Sequence, residues 1–241
     1  MFNTIYCITR LFFNLMFLRK PLKTVQKMSL EDDVTEHDKL VSKYVKEWAQ
    51  YVLNIAKVKV SVSGLSNIPQ DETVIFVCNH QSFFDIPVLL GFLDKPYGLL
   101  SKDDIKKIPY INKWMVELNC VFIDRKNPRS AVKSLSVVGD NIDKGYSMII
   151  FPEGTRSKTG EVARFKSGAF KLAISKNVSI VPVALNGTMD VFEGNKHKIR
   201  ASNVTLEVLP KIPVSKDSDY KVIAQEAYAV ISKCVEKMRQ N

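Results

Sequence analysis

Four cysteines in 241 residues, Cys7, Cys78, Cys120 and Cys234, include no C-x-x-C pair. That spacing argues against a disulfide frame and reads as reduced, mostly buried thiols in a cytosolic setting. Only three histidines are present, His37, His80 and His197, none in ligand-like spacing with a cysteine, so no structural metal is expected. Ten glycines and ten prolines are scattered, with no linker, low-complexity tract or internal repeat. A Gly-rich phosphate loop, a helix-turn-helix and an aromatic ribonucleoprotein motif are all missing, which excludes the familiar nucleic-acid modules. Negative charge is in deficit: 25 acidic against 35 basic residues leave a net charge of +10. The partners expected are therefore anionic, namely an acidic membrane surface, a phosphorylated substrate or an acidic carrier protein.

A long uninterrupted apolar run is also lacking. Residues 1–18 come nearest, with Phe2, Ile5, Ile8, Leu11, Phe12, Phe13 and Phe17, but Arg10 and Asn14 break the run. A span needs about 20 apolar residues, and a central arginine costs roughly 2.5–3.5 kcal/mol on insertion. Arg19, Lys20, Lys23 and Lys27 follow the stretch instead of leading it, which is the wrong order for a cleaved signal. A helix lying in the headgroup plane of an anionic membrane fits this pattern, and an ordinary buried first helix is the alternative. From Ser29 an amphipathic helix is predicted, with Ser29 and Asp32 as its cap and Leu40, Tyr44, Trp48, Val52 and Ile55 at helical spacing. Residues 1–57 thus read as a helical membrane-attachment segment.

Residues 58–241 read as one α/β domain. Short apolar strands, at Val58 to Val62, Thr73 to Val77, Tyr97 to Leu100, Cys120 to Ile123, Ser147 to Phe151, Ser179 to Leu185 and Val204 to Val208, alternate with helical segments. The pattern implies a mixed, largely parallel sheet flanked by helices, with ligands at the carboxyl ends of its strands.

Two such ends carry chemistry. After Val77 comes Asn79-His80-Gln81-Ser82-Phe83-Phe84-Asp85. On a continuous helix His80 and Asp85 would point about 140° apart, so a turn must bring them together. Two readings stay open: a general base whose tautomer Asp85 fixes, or a local hydrogen bond or helix cap. After the strand ending at Ile150 comes Phe151-Pro152-Glu153-Gly154-Thr155-Arg156-Ser157. There a tight turn can expose N–H groups and a guanidinium suited to phosphate, with Glu153 expected to hold Arg156. A solvated loop with a surface ion pair is the alternative. Cys78 is expected to face the core rather than act as nucleophile. His37 and His197, set among charged residues, are expected at the surface.

Taken together, Asn79 to Asp85, Ser101-Lys102 with Val121 to Arg125, Phe151 to Ser157, and Val181-Pro182-Val183-Ala184 resemble, in that order, the four sequence blocks of the glycerolipid acyltransferase family. The branch they most resemble is the bacterial 1-acyl-glycerol-3-phosphate acyltransferases. The resemblance covers roughly residues 60 to 210. It implies transfer of an acyl group from an acyl-carrier protein or coenzyme A thioester, a co-substrate rather than a cofactor, to the sn-2 hydroxyl of lysophosphatidate. It implies His80 as general base, Asp85 as its orienter, and backbone N–H groups near the start of the Asp85 helix as oxyanion donors. Arg156, Lys102 and Arg125 are then implied to bind the acceptor phosphate, in a site shaped by Glu153, Gly154 and Thr155. The Val181 block is implied to lie near the acyl chain or to support the loop. The implied place is the cytoplasmic face of the cell membrane, as a monotopic or peripheral protein. Acylation of glycerol-3-phosphate or another lysophospholipid, or non-enzymatic binding of anionic membranes, are the alternatives.

Overall fold

The computed structural model describes residues 2–28, 34–93, 95, 97–124 and 127–240. Three helices lead, α1 (Phe2–Phe17), α2 (Arg19–Met28) and α3 (Val34–Ile55), and β1 (Val58–Ser63) and β2 (Ile75–Cys78) follow. Next come α4 (Asp85–Phe92), β3 (Tyr97–Lys102), a 3₁₀ turn at Asp103–Lys107, α5 (Ile111–Glu117) and β4 (Val121–Ile123). The chain continues with α6 (Pro128–Asp143), β5 (Ser147–Ile150), α7 (Gly168–Lys176), β6 (Ile180–Asn186), the short α8 (Thr188–Val191), β7 (Ser202–Val208) and α9 (Tyr220–Gln240). The Ser29–Asp32 cap predicted for α3 lies outside the described residues.

The sheet order is β1-β7-β6-β2-β5-β3-β4. Strands β4, β3, β5, β2 and β6 run parallel, whereas β7 is antiparallel to β6 and parallel to β1. The mixed, largely parallel α/β sheet expected from alternation is therefore present. Its middle strands, Ile75-Phe76-Val77-Cys78 and Ser147-Met148-Ile149-Ile150, are buried at every position, as strands covered on both faces are; their polar member, Ser147, accepts the Val74 N–H through Oγ at 3.1 Å.

Alternation along β2 sorts two cores. Phe76 and Cys78 face a layer built from α1 to α5, while Ile75 and Val77 face α6, α7 and α9. Cys7, Leu22 and Val25 of the leading helices belong to the first of these cores. The start of α6 is set locally: Asn127 Oδ1 accepts the N–H groups of Arg129 and Ser130 ahead of Pro128 at the first turn.

The surface position expected for His37 is corrected. It is 7% exposed, with Nδ1 3.1 Å from Asp38 Oδ1 and Nε2 3.1 Å from Glu117 Oε2, clamped between α3 and α5. The charged neighbourhood that suggested solvent is in part its own set of partners. His197 is exposed as expected. All four cysteines are free; Cys7 and Cys78 are buried, and Cys120 and Cys234 half-buried.

One buried side chain joins the end of β2 to β6. The Asn79 amide donates to Leu185 O and accepts the Leu185 N–H, both at 2.8 Å. Asn79→Ala orphans a buried carbonyl and a buried N–H, at about 1–3 kcal/mol each. Urea denaturation should show a loss of about 2 kcal/mol or more, and a neutral variant would mean that water replaces the amide.

Candidate active site

His80 and the loop after β5 stand at the carboxyl ends of adjacent strands, so the parallel sheet itself sets them side by side. Asp85 opens α4 with its side chain 0% exposed. Its Oδ2 sits 2.7 Å from His80 Nδ1 and also accepts the N–H groups of Gln81 at 2.7 Å and Ser82 at 2.9 Å. Its Oδ1 accepts the Thr188 hydroxyl. Both oxygens of this buried carboxylate are thus matched by donors, as burial of a polar group requires. Donation from Nδ1 leaves Nε2 as the basic nitrogen. Phe151 stacks on the imidazole, with ring centres 4.1 Å apart and planes 24° from parallel, fixing its tilt.

The loop after β5 is tied to this turn by three links. His80 O accepts the Ser157 N–H at 2.7 Å, and Glu153 Oε1 accepts the His80 N–H at 2.7 Å. The third runs through Glu193. Its carboxylate accepts the Ser82 hydroxyl, the Phe83 N–H at 2.9 Å and Arg156 Nη1, while the Arg156 guanidinium lies 3.8 Å from the Phe83 ring centre. Arg156 remains 35% exposed. One cleft therefore contains a basic imidazole nitrogen, a buried carboxylate behind it and a partly open guanidinium.

The acyltransferase family model matches residues 59–186, which is more than half of the chain. The chain belongs to the acyltransferase family. A chloroplastic 1-acyl-sn-glycerol-3-phosphate acyltransferase of Arabidopsis thaliana is 37% identical over 180 residues, covering 74% of this chain and 49% of that one. The 1-acyl-sn-glycerol-3-phosphate acyltransferase of Borreliella burgdorferi is 33% identical over 171 residues, covering 69% and 67% respectively. The crystal structure of the 1-acyl-sn-glycerophosphate acyltransferase PlsC from Thermotoga maritima superposes with a TM-score of 0.81 at 27% identity, over 97% of this chain and 96% of that one. The chain spans about half the length of the first curated relatives it matches.

Within this acyltransferase fold several expectations need revision. Glu153 does not hold Arg156. Its two oxygens take the N–H groups of His80 and Ala163, so it braces the loop against the histidine, and Glu193 pairs with the arginine. The N–H groups near the start of α4 are also unsuited to an oxyanion: those of Gln81 and Ser82 go to Asp85, Phe83 to Glu193, Phe84 to Ser82 Oγ, and Asp85 to Ser82 O. Lys102, at the end of β3 one strand beyond β5, is exposed and paired with Asp104. Gly154 adopts φ +72°, a backbone that favours glycine, and Thr155 is exposed beside it. Arg125 lies outside the described residues. Val181 and Val183 are buried in β6, where they support the central sheet. Burial raises the Cys78 thiol well above its ordinary range, with Asp85 and Glu153 adding to the shift, which keeps it unreactive.

Thr188 and Glu193 went unnoticed in the sequence. Both lie just past the matched residues 59–186, in the turns between β6 and β7. Gly187 before them has φ +91°, and a Cβ there would stand 2.3 Å from Asn203 O. That glycine, next to a threonine, was the available signal for a forced turn.

Burial raises the Glu153 carboxyl to about 7, Asp85 adds to the rise, and the His80 and Ala163 N–H bonds oppose it. A carboxyl raised on folding favours the folded state while protonated, and that contribution is lost as pH climbs from the ordinary glutamate range through about 7. Relative to wild type, Glu153→Gln should therefore gain stability by up to about 3 kcal/mol between about pH 5 and about pH 8. A stability gap that stays constant across that range in urea melts would refute the shift.

Proposed function

We propose that this chain transfers a fatty acyl group from an acyl thioester to the sn-2 hydroxyl of 1-acyl-glycerol-3-phosphate, forming phosphatidic acid. The observation that carries the reading is the 2.7 Å bond from His80 to the buried Asp85, in the same cleft as Arg156. The relatives named as 1-acyl-sn-glycerol-3-phosphate acyltransferases support it. His80 Nε2 takes the hydroxyl proton as the oxygen attacks the thioester carbonyl carbon. The new C–O bond creates a tetrahedral oxyanion; its collapse breaks the C–S bond, and the imidazolium returns the proton to the departing sulfur. No enzyme nucleophile or cofactor takes part, and holding the two substrates together lowers much of the barrier. Arg156 grips the acceptor phosphate through N–H groups other than the Nη1 engaged by Glu193, with Lys102 as a second, more distant cation. The thioester is carried by coenzyme A or an acyl-carrier protein.

The same reading sets the leading helices on the cytoplasmic face of an anionic phospholipid membrane, in the headgroup plane. In support, Ile5, Tyr6, Ile8, Phe13 and Met16 of α1 are exposed, a costly apolar surface in water. Arg10 bonds through Nε to Tyr51 of α3, which ties this helix to the next layer. Among the described residues no helix is long and apolar enough to cross a membrane.

His80→Ala should lower turnover about a thousandfold while the melting temperature changes little, and near-normal turnover would remove His80 from the chemistry. Arg156→Lys should raise the KM for lysophosphatidate far more than it lowers kcat; equal acceptor KM values would refute the phosphate grip. A triple change of Ile5, Ile8 and Phe13 to Ser leaves the buried Cys7, Leu22 and Val25 in place. It should abolish sedimentation with anionic vesicles, and full retention on them would refute membrane attachment through α1.

A further inference from the structure

On the sheet face opposite α1 and α2, a groove of about 950 Å³ runs between α9 and the segment that precedes α7. Arg164, Lys166 and Lys221 line it together with Tyr220, Tyr228 and Gln225, and no carboxylate does. Glu161, Asp219 and Glu226 are near in sequence and stay outside it; Asp219 caps the Lys221 N–H at 2.7 Å. All three lining cations are exposed, and none has an ion pair among the described residues, in contrast to Lys102, Arg156, Lys176 and Lys211. A fourth cation, Lys171, lies 4.6 Å from the centre of the Tyr220 ring. Gathering unpaired cations in a concavity raises their mutual repulsion, which an anionic occupant relieves.

The groove adjoins the candidate active site. Lys166 donates its N–H to Pro152 O at 2.9 Å, and its side chain crosses Gly154, where a Cβ would meet Nζ at 2.6 Å. Ala163, at the groove's edge, is the residue whose N–H Glu153 holds. One wall of the groove is thus continuous with the loop that carries Arg156.

We propose that this groove receives the nucleotide bisphosphate end of a coenzyme A thioester, the acyl donor of the reaction proposed above, on which this inference rests. Its phosphates meet Arg164, Lys166 and Lys221, and its base lies along the tyrosine walls. The concave, aromatic-walled shape suits a nucleotide better than the broad acidic surface of a carrier protein. Its place across the sheet from the apolar face of α1 directs it away from lipid headgroups.

The test uses the full chain and the double variant R164E/K221E, whose two exposed side chains lie outside the catalytic cleft; an unchanged melting temperature checks the fold. Calorimetric titration with adenosine 3′,5′-bisphosphate should show binding that the variant weakens by about tenfold or more and that salt suppresses. In kinetics, the variant should raise the KM for acyl-coenzyme A by a similar factor. The KM for lysophosphatidate and the rate with an acyl-pantetheine lacking the nucleotide should stay as in wild type. Equal bisphosphate affinity in the two proteins would overturn the assignment. So would sensitivity confined to an acyl-carrier-protein donor, which would make the groove a protein-docking surface. Absence of transfer from every thioester, with variant-sensitive bisphosphate binding intact, would overturn the proposed reaction and leave the nucleotide site standing.

Discussion

The Asp85 carboxylate is the group on which the rest of the cleft depends. It is fully buried at the first turn of α4, where an unpaired charge would be costly, and it is met by the His80 ring, the Gln81 and Ser82 N–H groups and the Thr188 hydroxyl. Each donor fixes something beyond the charge. The two N–H groups fold the turn back on α4, the ring bond selects a tautomer, and the hydroxyl attaches the turn to α8. Gln81 extends the network, bonding Gly160 O at 3.0 Å and accepting weakly from Thr188. The histidine is therefore held by a network of buried bonds that fixes both its tautomer and its orientation, the arrangement that the proposed role as general base requires.

Two further carboxylates divide the bracing between them. Glu153 links the β5 loop to the backbone of His80, and Glu193 links Arg156 to the turn carrying Ser82 and Phe83. In a chain with a net charge of +10, Asp85 and Glu153 are the buried acids among the described residues, Glu193 is half-buried, and each is committed to donors around His80. Glu193 also changes how the arginine is seen by a ligand. One edge of the guanidinium is already satisfied and one face rests against Phe83, so the cation is held in a fixed orientation with its remaining N–H groups free of Glu193.

Much of the fold was legible because its signals are local. The apolar runs of β2 and β5, the alternation of β1 and β7 and the helical spacing of α3 each depend on a few neighbouring residues. The histidine and aspartate were legible for a related reason, as both lie within one turn of chain. The burial of His37 is not legible in the sequence because its partner Glu117 is 80 residues away, and charged neighbours along the chain resemble a solvated face. The pairing of Arg156 is hidden in the same way: Glu153 is close along the chain, yet Glu193 comes from the turn after α8.

By itself, the order of residues determined the α/β alternation, the strand ends at which chemistry collects and the acid and base types available there. Periodicity and turn composition act over distances shorter than one element, so no folded partner is needed to express them. Only the tertiary structure decided which acid serves which base. Parallel strands bring the ends of β2, β5 and β6 together, and a buried charge then takes whichever donor the packing delivers rather than the nearest one in sequence.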